Sequence, residues 1–221
     1  MKVLLLFFLN FIFFSTLGTN SYGSEIFFHV YRNGQKIGYH KLKLLKKENI
    51  VQSEIEIKFE VKFLGFNIYD YFHENKEVWV DNKFKSLESE TNKNGEILNC
   101  SILTKDGFLY RDGTHGDESK LMPMIPTTYW NYKLVENAEE KKVINSQDCS
   151  LINLKIKKIG RENIYDKSIW STHFKLRGKE ITGKDLDIDI WYDDNKNWIK
   201  MIFIKDSSKI EYFLDKFYEP K

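Results

Sequence analysis

From Ile55 to Phe63 the chain alternates without a break: Ile55, Ile57, Phe59, Val61 and Phe63 are apolar, while Glu54, Glu56, Lys58, Glu60 and Lys62 are charged. A period of two puts the apolar side chains on one face of an extended strand and the charges on the other, which predicts a half-buried antiparallel strand, wet on one side. Similar signals recur at short, regular spacing. Glu25 to Arg32 and Ile37 to Leu45 flank Asn33-Gly34, a strong two-residue hairpin signal. Strands are then expected over Ile68 to Val80, Lys83 to Thr91, Ile97 to Leu103 and Phe108 to Tyr110, and again over Cys149 to Ile159, Trp170 to Leu176, Leu186 to Tyr192, Trp198 to Ile204 and Ile210 to Phe217. Their connections are too short for parallel crossovers. The pattern predicts an all-β protein built on a single curled antiparallel sheet, a half-barrel or β-roll, because a sheet of so many twisted strands curls, closes or splits.

One stretch breaks the pattern. Within "PMIPTTYWN", Pro123 and Pro126 each lack a ladder donor, so no central strand can run through them. The expectation is a short helical or turn plug around residues 123–131, with Pro126 in the first helical turn, Thr127 and Thr128 at the helix entry, and Tyr129 and Trp130 packed inside the curl. A plug of aromatic core and a lid over a ligand are the two readings of it.

The first residues change the picture of where the protein works. One lysine, an apolar run from Val3 to Phe14 interrupted by Asn10, and the small residues around Ser21-Tyr22-Gly23 read as a secretory signal peptide cleaved after Gly23. The run falls short of the roughly 20 apolar residues of a membrane span, and nothing later is apolar enough to serve as one. Residues 24–221 then form a single β domain, periplasmic or secreted. Formal charge is only +2 with acids and bases interspersed, which gives no footprint for nucleic acid. The two cysteines, Cys100 and Cys149, would close a loop worth about 4 kcal/mol if bridged in an oxidising compartment. Geometry decides between that bridge and two buried thiols.

The strand from Ile68 to Val80 carries a polar and aromatic stripe: Tyr69, Tyr71, His73, Asn75, Glu77 and Trp79 share one face. His73 and Glu77 are not an acid–base dyad, since four residues of strand separate their backbones by about 13 Å. They are expected to act as a satisfied histidine and a cross-strand ion pair, or as part of a ligand-facing stripe. The loop "RDGTHGDE" offers Asp112, His115, Asp117 and Glu118, but glycine turns recruit Asp anyway and no second group of ligands stands at a metal-binding spacing. In "DLDIDIWYDDNKN", Asp185, Asp187 and Asp189 alternate with Leu186, Ile188 and Ile190 as an amphipathic strand. Asp193, Asn195 and Asn197 imitate the start of a calcium loop, yet Trp198 and Ile204 stand where its glycine and glutamate belong. No nucleophile elbow, zinc-protease motif or phosphate loop occurs. No metal or cofactor is assigned.

The stretches "YRNGQKIGYHKLKL", "YDYFHENKEVWVDNKFKSLESET", "IPTTYWN" and "IWYDDNKNWIKMIF" together resemble, along nearly the whole chain after the leader, an uncharacterised family of secreted bacterial proteins known as a domain of unknown function. The curled amphipathic sheet and the last hairpin are also similar to the outer-membrane lipoprotein carrier type of half-barrel, which implies an antiparallel sheet wrapped round an apolar cavity. Cys100 and Cys149 lie outside the family pattern.

Three classes of function are compatible with these features. The leading one is a non-enzymatic envelope protein that binds an apolar or lipid-like molecule inside the sheet, with Tyr71, His73, Glu77, Trp79, Tyr129 and Trp130 as ligand-binding residues. The second is a structural or protein-interaction module with a filled core. The third is an enzyme with scattered catalytic groups. Cavity volume discriminates the first two, because ligand pockets run to about 300 Å³ or more.

Overall fold

A computed structural model describes residues 21–116, 120–137 and 139–218 of the chain. The leader lies almost wholly outside the described residues, as do Asp117 and Glu118. Among the described residues fourteen strands form one sheet. The first seven are β1 (Ser21–Arg32), β2 (Gln35–Lys47), β3 (Ile50–Phe63), β4 (Phe66–Val80), β5 (Lys83–Lys93), β6 (Glu96–Lys105) and β7 (Phe108–Gly113). They are followed by β8 (Ile125–Pro126), β9 (Glu140–Ile144), β10 (Leu151–Ile164), β11 (Ile169–Lys179), β12 (Asp185–Asp193), β13 (Trp198–Lys205) and β14 (Ser208–Tyr218). The spatial order runs from β7 back to β1, across to β14, and on down to β8. Sequential strands are therefore neighbours almost everywhere, the arrangement that tight two-residue turns impose. Asn33 and Gly34, Asn94 and Gly95, and Asp106 and Gly107 all take the positive φ those turns need.

The first and last strands of this run meet in the middle of the sheet, where β1 pairs antiparallel with β14 from Glu25↔Tyr218 to Arg32↔Ile210. The sheet curls so that its two ends, β7 and β8, approach each other. The chain between them fills much of the gap. Leu121 exchanges both backbone hydrogen bonds with Leu109 of β7, at 3.0 and 2.8 Å, while Ile125 and Pro126 pair with β9. A disulfide joins Cys100 on β6 to Cys149 in the turn after β9. Beside it the Arg111 guanidinium donates to the Cys149 carbonyl, and His115 N donates to Asp148 O at 2.8 Å.

β8 and β9 were not expected as strands, and their pairing is the sheet's parallel one. Pro126 is admissible there because β8 is a sheet edge. The intervening chain has the length a parallel return requires. That same pairing displaces the expected helix entry. Thr127 N donates to Ile144 O at 2.8 Å, and the Thr127 hydroxyl accepts from Ser146 N, so Pro126 and Thr127 are held by sheet and turn bonds. The helical element among the described residues is one 3-10 turn at Tyr132–Leu134, with Asn131 as its N-cap. Cys149 likewise precedes β10, at φ +63°, instead of starting it.

The segment from Thr127 to Leu134 runs through the interior of the curl. On one side it meets the main core, formed by Phe28, Leu42, Leu176, Ile190, Tyr192 and Trp198 among others. Opposite lies a second cluster, which includes Trp79, Leu87, Ile102 and Leu109. Trp130 and Ile125 pack against both. The plug is thus the shared wall of two half-cores, and the curl is filled along this part of its length. The outer face is charged as the alternation requires. Lys175 lies 3.0 Å from Asp187 and 3.3 Å from Asp189, and Asp189 accepts from His173 at 2.7 Å.

Candidate functional site

The expected stripe on β4 faces inward. Tyr71, His73, Asn75, Glu77 and Trp79 are all buried, while Phe72, Glu74 and Lys76 between them are exposed. Register pairs His73 with Ile57 on β3 and Thr91 on β5. The structure brings this stripe under the plug. Trp79 and Trp130 meet edge to face at 5.9 Å, and Tyr129 packs on Trp198 at 5.9 Å. The Tyr192 hydroxyl donates to Tyr129 O at 2.7 Å and anchors the segment from the far side of the curl.

Among the described residues Glu77 has no cationic partner; neutral donors hold it instead. Oε1 accepts from the Thr128 hydroxyl at 2.6 Å and from Asn75 Nδ2 at 3.3 Å, and Oε2 accepts from Trp79 Nε1 at 2.9 Å. The expected cross-strand ion pair is replaced by this cradle because register sets Ser53 and Leu87, neither of them a cation, beside Glu77. Burial pushes the carboxyl above its usual range, against the pull of the donors Thr128, Trp79, Asn75 and, just beyond hydrogen-bond geometry, Trp130.

His73 Nδ1 lies 2.7 Å from the Thr91 hydroxyl. A second histidine, His40 on β2, completes the polar belt. Its ring packs edge to face on Trp198 at 5.0 Å and on Tyr212 at 5.7 Å. Burial lowers His73 to about 4, and burial together with the neighbouring His73 lowers His40 to about 3. Both rings are therefore neutral at physiological pH. His40, Thr91 and Thr128 were not singled out as site residues. For His40 the signal was present, since it shares the strand phase of Leu42 and Leu44; the roles of Thr91 and Thr128 depend on contacts across strands and across the plug.

Between plug and stripe lies a cavity of about 80 Å³. Tyr71, His73, Asn75 and His40 line it on one side, Tyr129, Trp130 and Trp198 on the other. Glu77 and Trp79 sit beyond this cavity, beneath the plug. Its wall reaches half-exposed Gln147 and Glu180, where the curl meets solvent. Glu180 is tied there to Lys205 at 2.7 Å. Strand alternation sends the β3–β4, β11–β12 and β13–β14 turns to this same end, and Lys184 meets Asp206 there at 2.9 Å. The turns at this end carry exposed Leu64 (81 %) and Ile181, while Phe66 (75 %), Ile68 and Ile204 near them lie on the outer phase of β4 and β13. Leu64 sits at φ +49°, a conformation that suits Asn or Gly better than Leu.

Other sequence candidates are consumed locally. Asp193 accepts from Asn195 N, Asn197 N and Asn197 Nδ2 and closes its own turn. Among the described residues no helix is long and apolar enough to cross a membrane.

A search of curated protein sequences finds no match. Among solved structures, the chain is similar to a β-barrel-like protein of another domain of unknown function, DUF1849, from Brucella abortus: TM-score 0.67 and 9% identity over 90% of this chain and 98% of that one. At that identity the likeness is one of fold. The family profile of a domain of unknown function, DUF6134, matches residues 28–215. The matched span takes in the plug and all of the sheet except the outer ends of β1 and β14, and the chain belongs to the DUF6134 family.

Proposed function

We propose that the protein is an exported, non-enzymatic binding protein that takes one end of an apolar or lipid-like molecule into the curl, the plug forming the floor of the site. The observation that carries this reading is the cavity between plug and stripe, whose wall reaches half-exposed Gln147 and Glu180 at the end of the curl whose turns carry exposed Leu64 and Ile181. Exposed apolar side chains at one end of a fold mark a place where apolar surface is received. Export is supported by the leader-like run from Val3 to Phe14. Cleavage after Gly23 would remove the three residues of β1 that pair with Leu45, Lys46 and Lys47 and leave the rest of the strand in register.

The cavity's size favours a second reading. At about 80 Å³ it is well below the roughly 300 Å³ of a small-molecule pocket, which suits a filled-core interaction module. Native mass spectrometry and organic extraction of protein isolated from its own envelope separate the two. A stoichiometric apolar molecule released on extraction is the result expected for binding. Protein of bare chain mass, with nothing extractable, selects the filled core.

A further inference from the structure

His40 is 3% exposed and Asn75 is 3% exposed, and both line the cavity. Among the described residues neither ring nitrogen of His40 has a hydrogen-bond partner. Asn75 commits its amide nitrogen to Glu77, whereas its buried Oδ1 has no partner. A neutral imidazole offers one donor and one acceptor, and an amide oxygen is an acceptor. Unmatched buried groups of this kind destabilise a fold by about 1–3 kcal/mol each. Their placement on one small cavity is the signature of a site for something that supplies the missing bonds.

We infer that the cavity floor seats an uncharged hydrogen-bonding head group, a hydroxyl or primary amide at the end of an aliphatic chain. The inference rests on the binding function proposed above and specifies the ligand's polar end. A hydroxyl seated there donates to Asn75 Oδ1 or accepts from the His40 N–H, and the amphiphile's first carbons meet Ile55, Ile57, Ile152 and Leu186. A cavity of about 80 Å³ has room for such a head and a few carbons, given that a single water needs about 10–15 Å³. The remaining chain leads out past Gln147 and Glu180 at that end of the curl. Charged heads are disfavoured by what faces them. The titratable lining groups are His40, His73, Tyr71, Tyr129 and Glu180, with no Lys or Arg among them. His73 is engaged by Thr91 and Glu180 by Lys205. A carboxylate seated there loses its water with no fixed positive charge in return.

Hexan-1-ol, hexanoate and hexane test this on the exported protein with isotope-labelled histidine, at about pH 8 where the acid is ionised. The His40 ring resonances are assigned through their contacts with Trp198 and Tyr212. Hexan-1-ol is expected to shift them saturably, with hexanoate and hexane binding at least about tenfold more weakly, a difference of about 1.4 kcal/mol. Asn75→Leu should weaken hexan-1-ol by a similar factor and leave hexane unaffected. Equal binding of all three probes overturns the head-group site while the apolar-binding function survives. Tighter binding of hexanoate than of hexan-1-ol overturns it too. If no probe binds, the cavity is only hydrated and both readings fall together.

Discussion

The Thr128 hydroxyl donates to Glu77 Oε1 at 2.6 Å across 51 positions of chain, tying the plug to the buried stripe of β4. A carboxylate with neutral donors and no counter-charge is stable only while those donors stay in place, so the plug and the ionisation of Glu77 are coupled.

We predict that Thr128→Val lowers stability by about 1–3 kcal/mol through loss of a bond to a buried group. The Glu77 pKa is already raised, so its favourable contribution is present below about 4.5 and fades as pH rises through the folded value. Losing a donor raises that value further. The destabilisation should therefore be larger at alkaline than at mildly acidic pH, read from urea midpoints. Equal losses at both would show that Glu77 does not titrate with the plug.

The two histidines act with the opposite sign. His40 at about 3 and His73 at about 4 bind fewer protons folded than unfolded, where the value is 6.5. Stability should fall as pH drops below about 6.5, by up to about 1.4 kcal/mol per pH unit for each ring. His73→Gln should flatten that slope while keeping a polar partner for Thr91. An unchanged slope would mean that other groups set the acid limit.

Cys100 and Cys149 clamp β6 to the turn before β10, across the gap between the sheet's ends. Replacing both by Ala should remove about 4 kcal/mol. Hydrogen exchange should rise first in Leu121 and Thr127, whose amides close the gap. Thiol labelling of denatured, unreduced protein should find no reactive cysteine, and two reactive thiols per chain would dismiss the clamp.

Trp130→Ala takes an aromatic out of the wall shared by both cores and should cost about 3–5 kcal/mol. Should the tryptophan instead close over a ligand, stability falls less and retention of a co-purifying apolar molecule falls more. A full stability loss with no molecule bound to either protein leaves the plug purely structural.

Gly38 approaches β3 so closely that an added Cβ would stand 1.8 Å from the Lys58 carbonyl oxygen. Gly38→Ala should therefore separate β2 from β3 locally and cost about 2 kcal/mol or more. A thermal midpoint equal to that of the native chain would show that the two strands part without penalty.

Alternation in β3 and β4, and the Asn-Gly and Asp-Gly turns, carried most of the sheet in the sequence itself, because side-chain period and turn chemistry are local properties. The inward stripe from Tyr71 to Trp79 was legible for the same reason, as was the proline segment's exclusion from any central strand. β8 and β9 were not, since Ile125, Pro126 and Val143 become strand by pairing at a sheet edge that exists only once the curl has formed. Nor was the 3-10 turn's start at Asn131, which follows from Thr127 being held by Ile144 and Ser146. Glu77's neutral cradle, the bridge between Cys100 and Cys149, and the meeting of His40 with Asn75 on one cavity join residues far apart in the chain. Those contacts depend on how tightly the sheet curls and where the plug enters it, quantities set by the packing of two half-cores on Trp130 and not by any local pattern.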